Sequence, residues 1–218
     1  MTRTRRKIDA RSLPEQVADW LIKEISEERL KPGQRITEQF VIDQCQFSRG
    51  PIRDAFRIVE KIGLINLLPR RGAVVAPIDL DELTELFAIR AALTRVLVSR
   101  AIGQASDEQL RGLVIEAGNL LEVVDDEASF FGASNTLGER FLDLAESSKL
   151  RDLLEPLQIQ ISRYRHHGFS SLAARQASAS GYLAIAEAME KRDESLALET
   201  VDASVRRLVN EVVKAFTP

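Results

Sequence analysis

The sequence predicts a mainly α protein: an N-terminal winged helix-turn-helix followed by an antiparallel all-α bundle of about six helices. Three observations carry this. The segment Ser48-Arg49-Gly50-Pro51-Ile52-Arg53-Asp54-Ala55-Phe56-Arg57 combines a helix start with arginines at four-residue steps. Two short apolar runs, residues 64–68 and 73–76, flank the turn Pro69-Arg70-Arg71-Gly72. From residue 80 to residue 216 the apolar residues recur at helical spacing, interrupted only by short turns.

Composition bounds the answer. A chain of 218 residues that is 44% hydrophobic suits one or two domains with a sizeable core. The single cysteine, Cys45, leaves no internal disulfide, which fits a reducing cytoplasm. No run of about 18 apolar residues occurs, so no membrane span is expected. The basic start is not followed by an apolar stretch, which argues against a secretory signal. The net charge of −3 conceals an asymmetry. Residues 1–77 hold 15 Lys+Arg against 10 Asp+Glu, a balance of +5. Residues 78–218 hold 15 against 23, a balance of −8. A basic front and an acidic back suggest that only the front meets a polyanion.

Residues 1–11 read as a basic disordered arm, and residues 12–77 as the DNA-binding domain. Leu13, Val17, Leu21 and Ile25 form a helical stripe, with Ser12 and Glu15 as a capping box. Lys31-Pro32-Gly33 ends that helix. Thr37 caps a short second helix carrying Phe40, Val41 and Ile42. Cys45-Gln46-Phe47 turns into a third helix, for which Ser48 is a natural N-cap. Ile52, Ala55, Phe56, Val59 and Ile62 mark its core face, and Gly63 its end. Arg49, Arg53 and Arg57 lie on an outward face. Such a helix can enter a major groove, where guanidinium groups read guanine edges and phosphates. The bland alternative is a solvated basic face. The hairpin that follows favours DNA, because its arginine tip can lie over phosphates or enter the minor groove.

Several segments carry a resemblance. They are Ile36-Thr37-Glu38-Gln39, then Phe47 through Phe56, then Glu60-Lys61-Ile62-Gly63-Leu64-Ile65, then Arg71-Gly72-Ala73-Val74-Val75. In this order they resemble the GntR family of bacterial transcription regulators over about 65 residues. The resemblance implies that Arg49 and Arg53 read bases, that Thr37 and Ser48 touch the DNA backbone, and that Arg71 is the wing contact. Arg35, Gly50 and Gly72 complete the expected DNA-binding set. Gly50 departs from the family's Thr, and Gln46 from a Gly in the turn.

Residues 78–218 read as a helical effector-binding and dimerisation domain. Asp79-x-x-Glu82 opens a helix over roughly 80–103. The box Ser106-x-x-Gln109 opens a second, carrying Leu110 through Val124. Four more follow, at about 128–146, 148–166, 171–191 and 194–216, and Pro156 is expected to kink or split the first of these last three. Phe87-Ala88-Ile89-Arg90-Ala91-Ala92-Leu93, Ser147-Ser148-Lys149-Leu150 and Ile185 through Asp193 resemble the bundle of the FadR-type branch, the FCD domain. That resemblance implies a repressor with a small-molecule effector, an organic acid, acting as a homodimer on a pseudo-palindromic operator.

Many bundles of that branch hold a divalent metal through one Asp and three His. The matching positions here are Ser134, Gly138, Tyr182 and Ser204. None is a strong ligand, so no metal or other cofactor is expected. A one-residue slip offers only Asn135 and Glu139. His166 and His167, adjacent on one helix, read as exposed helix-end residues. The four positions then describe a hydroxyl-lined effector cavity, with Arg90 or Arg163 as the cation that meets an acid. The bland alternative is that both arginines make internal salt bridges or lie on the surface. A second functional reading is a regulator whose bundle only dimerises and binds no effector. No nucleophile triad, phosphate loop or metal cluster is legible, which argues against an enzyme.

Overall fold

The computed structural model describes residues 12–69 and 71–216, the side chain of His166 excepted. It divides into two compact units that part between Ile78 and Asp79. The basic arm and Arg70 at the hairpin tip lie outside the described residues.

The first unit comprises α1 (Leu13–Ser26), β1 (Arg35–Ile36), α2 (Glu38–Cys45), α3 (Arg49–Ile62), β2 (Ile65–Leu68) and β3 (Gly72–Val75). Helix α1 starts where expected: the backbone N–H and the hydroxyl of Ser12 both donate to the Glu15 carboxylate, at 2.7 and 2.8 Å. Its stripe Val17, Leu21 and Ile25 is buried against α3, whose Ile52, Ala55, Phe56 and Val59 are buried in turn. Each such side chain contributes about 1.5–3 kcal/mol of hydrophobic stabilisation. The Thr37 hydroxyl accepts from the Phe40 N–H at 3.1 Å and caps α2. Gln46 ends α2 in the left-handed region at φ 57°, where a glycine would fit without strain. Ser48 holds the extended N-cap backbone, but its hydroxyl makes no cap bond, contrary to the sequence reading.

The hairpin is present, with Ile65 opposite Val75 and Leu68 opposite Gly72. The structure adds a third strand that the sequence did not predict. β1 pairs antiparallel with β3, Arg35 opposite Val74 and Ile36 opposite Ala73. Two residues are too few to display an alternation. The pairing is completed by Gly33 N–H to Val75 O and Val75 N–H to Gln34 O.

The second unit has α4 (Leu80–Gln104), α5 (Asp107–Gly118), a 3₁₀ turn (Asn119–Glu122), α6 (Glu127–Ala145), α7 (Ser148–Gly168), α8 (Leu172–Glu190) and α9 (Glu194–Phe216). Asp79 caps α4 by accepting from the Asp81 and Glu82 N–H groups. The Ser106–Gln109 box opens α5. α5 stops at Gly118 rather than running on to Val124; Leu120 and Val124 stay buried through the 3₁₀ turn instead. α7 passes through Pro156 as one helix, correcting the expected split. Pro156 and Asp152, whose carbonyl loses its helical partner there, are both exposed, so water can satisfy that carbonyl. The α8–α9 turn places Arg192 at φ 54°. Its guanidinium donates to the carbonyls of Ile102 and Ala105 and to Asp107, tying this turn to the α4–α5 turn. α9 packs on α4, α7 and α8 around the shared core.

Candidate functional site

In the first unit the outward face of α3 carries Arg49, Arg53 and Arg57, all exposed. The Arg53 Nε donates to Glu38 Oε1 of α2 at 2.6 Å, which holds its guanidinium proton more tightly than usual. Arg57 reaches Asp54 at 3.4 Å. Thr37 keeps its hydroxyl proton free while capping α2, and the Ser48 hydroxyl is not used by its own helix. Both are exposed and offer hydroxyl donors of the kind phosphates accept.

Arg35 does something the sequence did not indicate. Its Nε and Nη2 donate to the carbonyl of Arg71 at 3.2 and 3.1 Å. It thereby braces the wing turn on which the exposed Arg71 stands. Gly72 sits beside that brace at φ +89°, and a Cβ there would lie 2.2 Å from Ile36 O. Gly50 is the opposite case: an added Cβ meets nothing within 4 Å.

In the second unit a cavity of about 640 Å³, its open mouth included, is framed by α4, α7, α8 and α9. Of the six residues expected there, Arg90, Tyr182 and Ser204 line it. The other three do not. Ser134 is buried on α6, where its hydroxyl donates to Phe131 O and accepts from Arg165 Nη2, both at 3.0 Å. Gly138, one turn further along α6, does not reach the cavity. Arg163 is buried against its neighbour, with Nη2 donating to the Tyr164 hydroxyl at 3.0 Å and the guanidinium over that ring. Asn135 and Glu139, the slipped pair, are taken by Arg165 and Arg151. His167 is partly buried with its ring 4.3 Å from that of Phe216, rather than an exposed helix-end residue.

The residue missed was Arg165. It is 1% exposed and lies between the rings of Phe131 and Phe169, 5.1 Å from each centroid. Its partners are neutral: Asn135 Oδ1 at 2.6 Å and Ser134 Oγ at 3.0 Å, while Nε has none. Burial pushes this guanidinium down to about 10, against a partial upward pull from Tyr182. Tyr182 responds in kind. Burial raises its phenol, but Arg165 and Arg90, the latter also hydrogen-bonded to it, outweigh burial and leave it below its ordinary value. Ser204 Oγ is buried without a hydrogen-bond partner. It lies so close under α8 that a Cβ on Gly181 would come within 2.6 Å of it. The cavity's polar lining therefore includes Arg90, Arg207, a polarised phenol and an unsatisfied hydroxyl, while Arg165 lies outside the lining and acts on it through its charge on Tyr182. Glu211, the carboxylate in the lining, is paired with Lys214 at 2.7 Å. The legible signal for Arg165 was its place in the stripe Ile161, Arg165, Phe169, an arginine at a core position. Arg163, two residues away, points to a different helix face. Among the described residues, no group of three or more His, Cys, Asp or Glu is placed to hold a metal.

A winged helix-turn-helix with an arginine face, joined to a helical domain with a cavity, defines a class of DNA-binding regulators. Residues 85–207 match the FCD domain, and residues 13–75 match the bacterial regulatory proteins of the gntR family. The chain belongs to the GntR-type transcription regulators that carry an FCD domain, and these are not enzymes. It is 28% identical over 128 residues to the uncharacterised regulator YdhC of Bacillus subtilis, an alignment covering 57% of each chain. It is 24% identical over 191 residues to the transcriptional repressor RspR of Escherichia coli, covering 84% of each. The structure of E. coli McbR/YncC superposes with a TM-score of 0.81 at 18% identity, covering 95% of this chain and 100% of that one. Among the described residues, no helix is long and apolar enough to cross a membrane.

Proposed function

We propose that this regulator is a cytoplasmic homodimeric repressor that reads a pseudo-palindromic operator through α3 and senses a small organic acid in the bundle cavity. The observation that carries the effector half is Arg165. A buried cation facing only neutral partners carries an uncompensated desolvation penalty that an anion would relieve. Arg90, Tyr182 and Ser204 line the cavity and supply donors there, Arg165 acts on Tyr182 from outside the lining, and Arg90 is a lining arginine that can form a fork with a carboxylate. The test is a thermal-shift screen of the full chain against small mono- and dicarboxylates and their uncharged amides. Stabilisation by one or more acids, and not by their amides, is the expected result. If no acid raises the melting temperature, the bundle is better read as a dimerisation domain alone.

In the DNA half, Arg49 and Arg53 read bases, Arg71 contacts phosphate or the minor groove, and Thr37 and Ser48 anchor the backbone. Arg35 acts by bracing Arg71, Gly72 by letting the wing backbone pass close to Ile36, and Gly50 through its backbone alone. Arg49→Ala and Arg53→Ala should each weaken binding to the preferred duplex by roughly 5- to 150-fold and relax one base position. Arg71→Ala should weaken all duplexes alike and lower the salt dependence by about one counterion. Selection from a randomised duplex pool followed by titration checks both. Uniform, sequence-independent losses for all three variants would refute the division of roles.

A further inference from the structure

We infer that Glu38 is a positioning residue for base recognition: its ion pair with Arg53 fixes which edge of that guanidinium is presented to DNA. The inference rests on the reading that Arg53 contacts a base. Arg53 projects from α3 and is 62% exposed, while Glu38 sits at the first position of α2 and is 25% exposed. Glu38 Oε1 takes the Nε–H at 2.6 Å. The hydrogen bond between the two side chains runs through Nε and not through the terminal nitrogens. Those nitrogens form the edge that can engage guanine O6 and N7 in a bidentate pair. The carboxylate thus occupies the Nε–H, a donor that such a pair does not use.

Two physical consequences follow. An arginine on an exposed helix face has four soft torsions, and ordering them on binding opposes recognition. A contact from a second helix removes part of that freedom beforehand. The same carboxylate also places a negative charge beside the DNA-facing arginines. It therefore disfavours loose phosphate contacts by Arg53 on any sequence, while a base contact that leaves the ion pair intact is unaffected. Glu38 should raise discrimination and lower indiscriminate affinity together. A residue that merely stabilises the fold would change neither ratio. An exposed pair contributes little to stability, so its removal should leave the domain folded.

The experiment compares full-length wild type, E38Q, E38A and R53A by selection from a randomised duplex pool, with titrations on the wild-type consensus and on a scrambled duplex. Melting curves control for folding. R53A should flatten one base position. E38A should flatten that same position by about fivefold or more while the others persist. Binding of E38A to the scrambled duplex should be tighter and steeper in salt by up to about one counterion. E38Q, which keeps an acceptor at the same place, should fall between E38A and wild type. If R53A flattens a position that E38A leaves sharp, the inference fails and the reading of Arg53 stands. If E38A instead sharpens the preference, Glu38 masks Arg53 rather than positions it, and the inference is equally wrong. If R53A flattens nothing, the reading of Arg53 falls and this inference falls with it. Loss of all binding by a folded E38A would also overturn it.

Discussion

Gly72→Ala is expected to dismantle the wing and abolish DNA binding, while Gly50→Ala, 22 residues earlier in the same unit, leaves both intact. The two glycines look equivalent in sequence, since each adjoins an arginine of the DNA-binding set. Their surroundings differ. At Gly72 the backbone is left-handed at φ +89°, which costs an L-residue about 1–2 kcal/mol by itself. The new Cβ would also lie 2.2 Å from Ile36 O and 3.0 Å from Thr37 Cα. Those atoms are backbone, so no side-chain rotation relieves the clash. Relief requires β1 to leave β3, and the cap of α2 to move with it, because Thr37 directly follows β1. The total loss should be about 2–4 kcal/mol, a fall of roughly 10–20 °C in the melting of this unit. At Gly50 the added Cβ meets nothing within 4 Å, in the first turn of a helix. Ala there should be neutral or stabilising by up to about 1 kcal/mol. Gly50→Thr fits by the same argument. Circular dichroism melts and titration on any bound duplex decide the matter. A Gly72→Ala protein that melts and binds like wild type would mean that β1 does not press on the wing.

What could be read from the sequence alone was what is local. The box at Ser12 and Glu15, the Thr37 cap, the buried face of α3 and the Ile65–Val75 hairpin each have a signal within a few residues. β1 had none: its two residues become a strand only because residues far along the chain pair with them. The end of α5 was misplaced because Leu120, Leu121 and Val124 continue the helical period past Gly118; Leu120 and Val124 stay buried where the helix does not continue, and Leu121 is exposed. The cavity was half legible. Tyr182 and Ser204 were located through a resemblance, and Arg90 through its helix. Ser134 is a core residue whose hydroxyl is engaged by Arg165. Choosing Arg163 over Arg165 was a choice of helix face: both side chains are buried, and Ile161 and Phe169, one turn to either side, mark the stripe to which Arg165 belongs.

Arg165→Met should make the bundle more stable and deaf to small acids. The guanidinium is held down at about 10, well below its ordinary value, chiefly because it is desolvated. The folded chain therefore binds that proton less tightly than the unfolded chain does. The penalty is fully present at neutral pH and is relieved only as pH rises through about 10 and beyond. It corresponds to about 3 kcal/mol. Met has a similar length, no charge and the flexibility to lie between Phe131 and Phe169, where sulfur–aromatic contacts are favourable. Against this stand the lost hydrogen bonds to Ser134 and Asn135. Ser134 retains Phe131 O, and Asn135 retains Gln158, so neither is orphaned. The net gain should be about 1–3 kcal/mol, in keeping with buried ionic groups replaced by apolar side chains of similar size. The same substitution withdraws a cation that polarises Tyr182, so the phenol should titrate higher. An acid that raises the melting temperature of wild type should then have little effect on Arg165→Met. Arg163 does not line the cavity, so Arg163→Met should respond to the acid as wild type does. Paired thermal melts with and without the acid, and ultraviolet titration of the tyrosines, give the answer. A destabilised Arg165→Met that still responds to the acid would show that the arginine is a structural brace and that the acid is met elsewhere in the cavity.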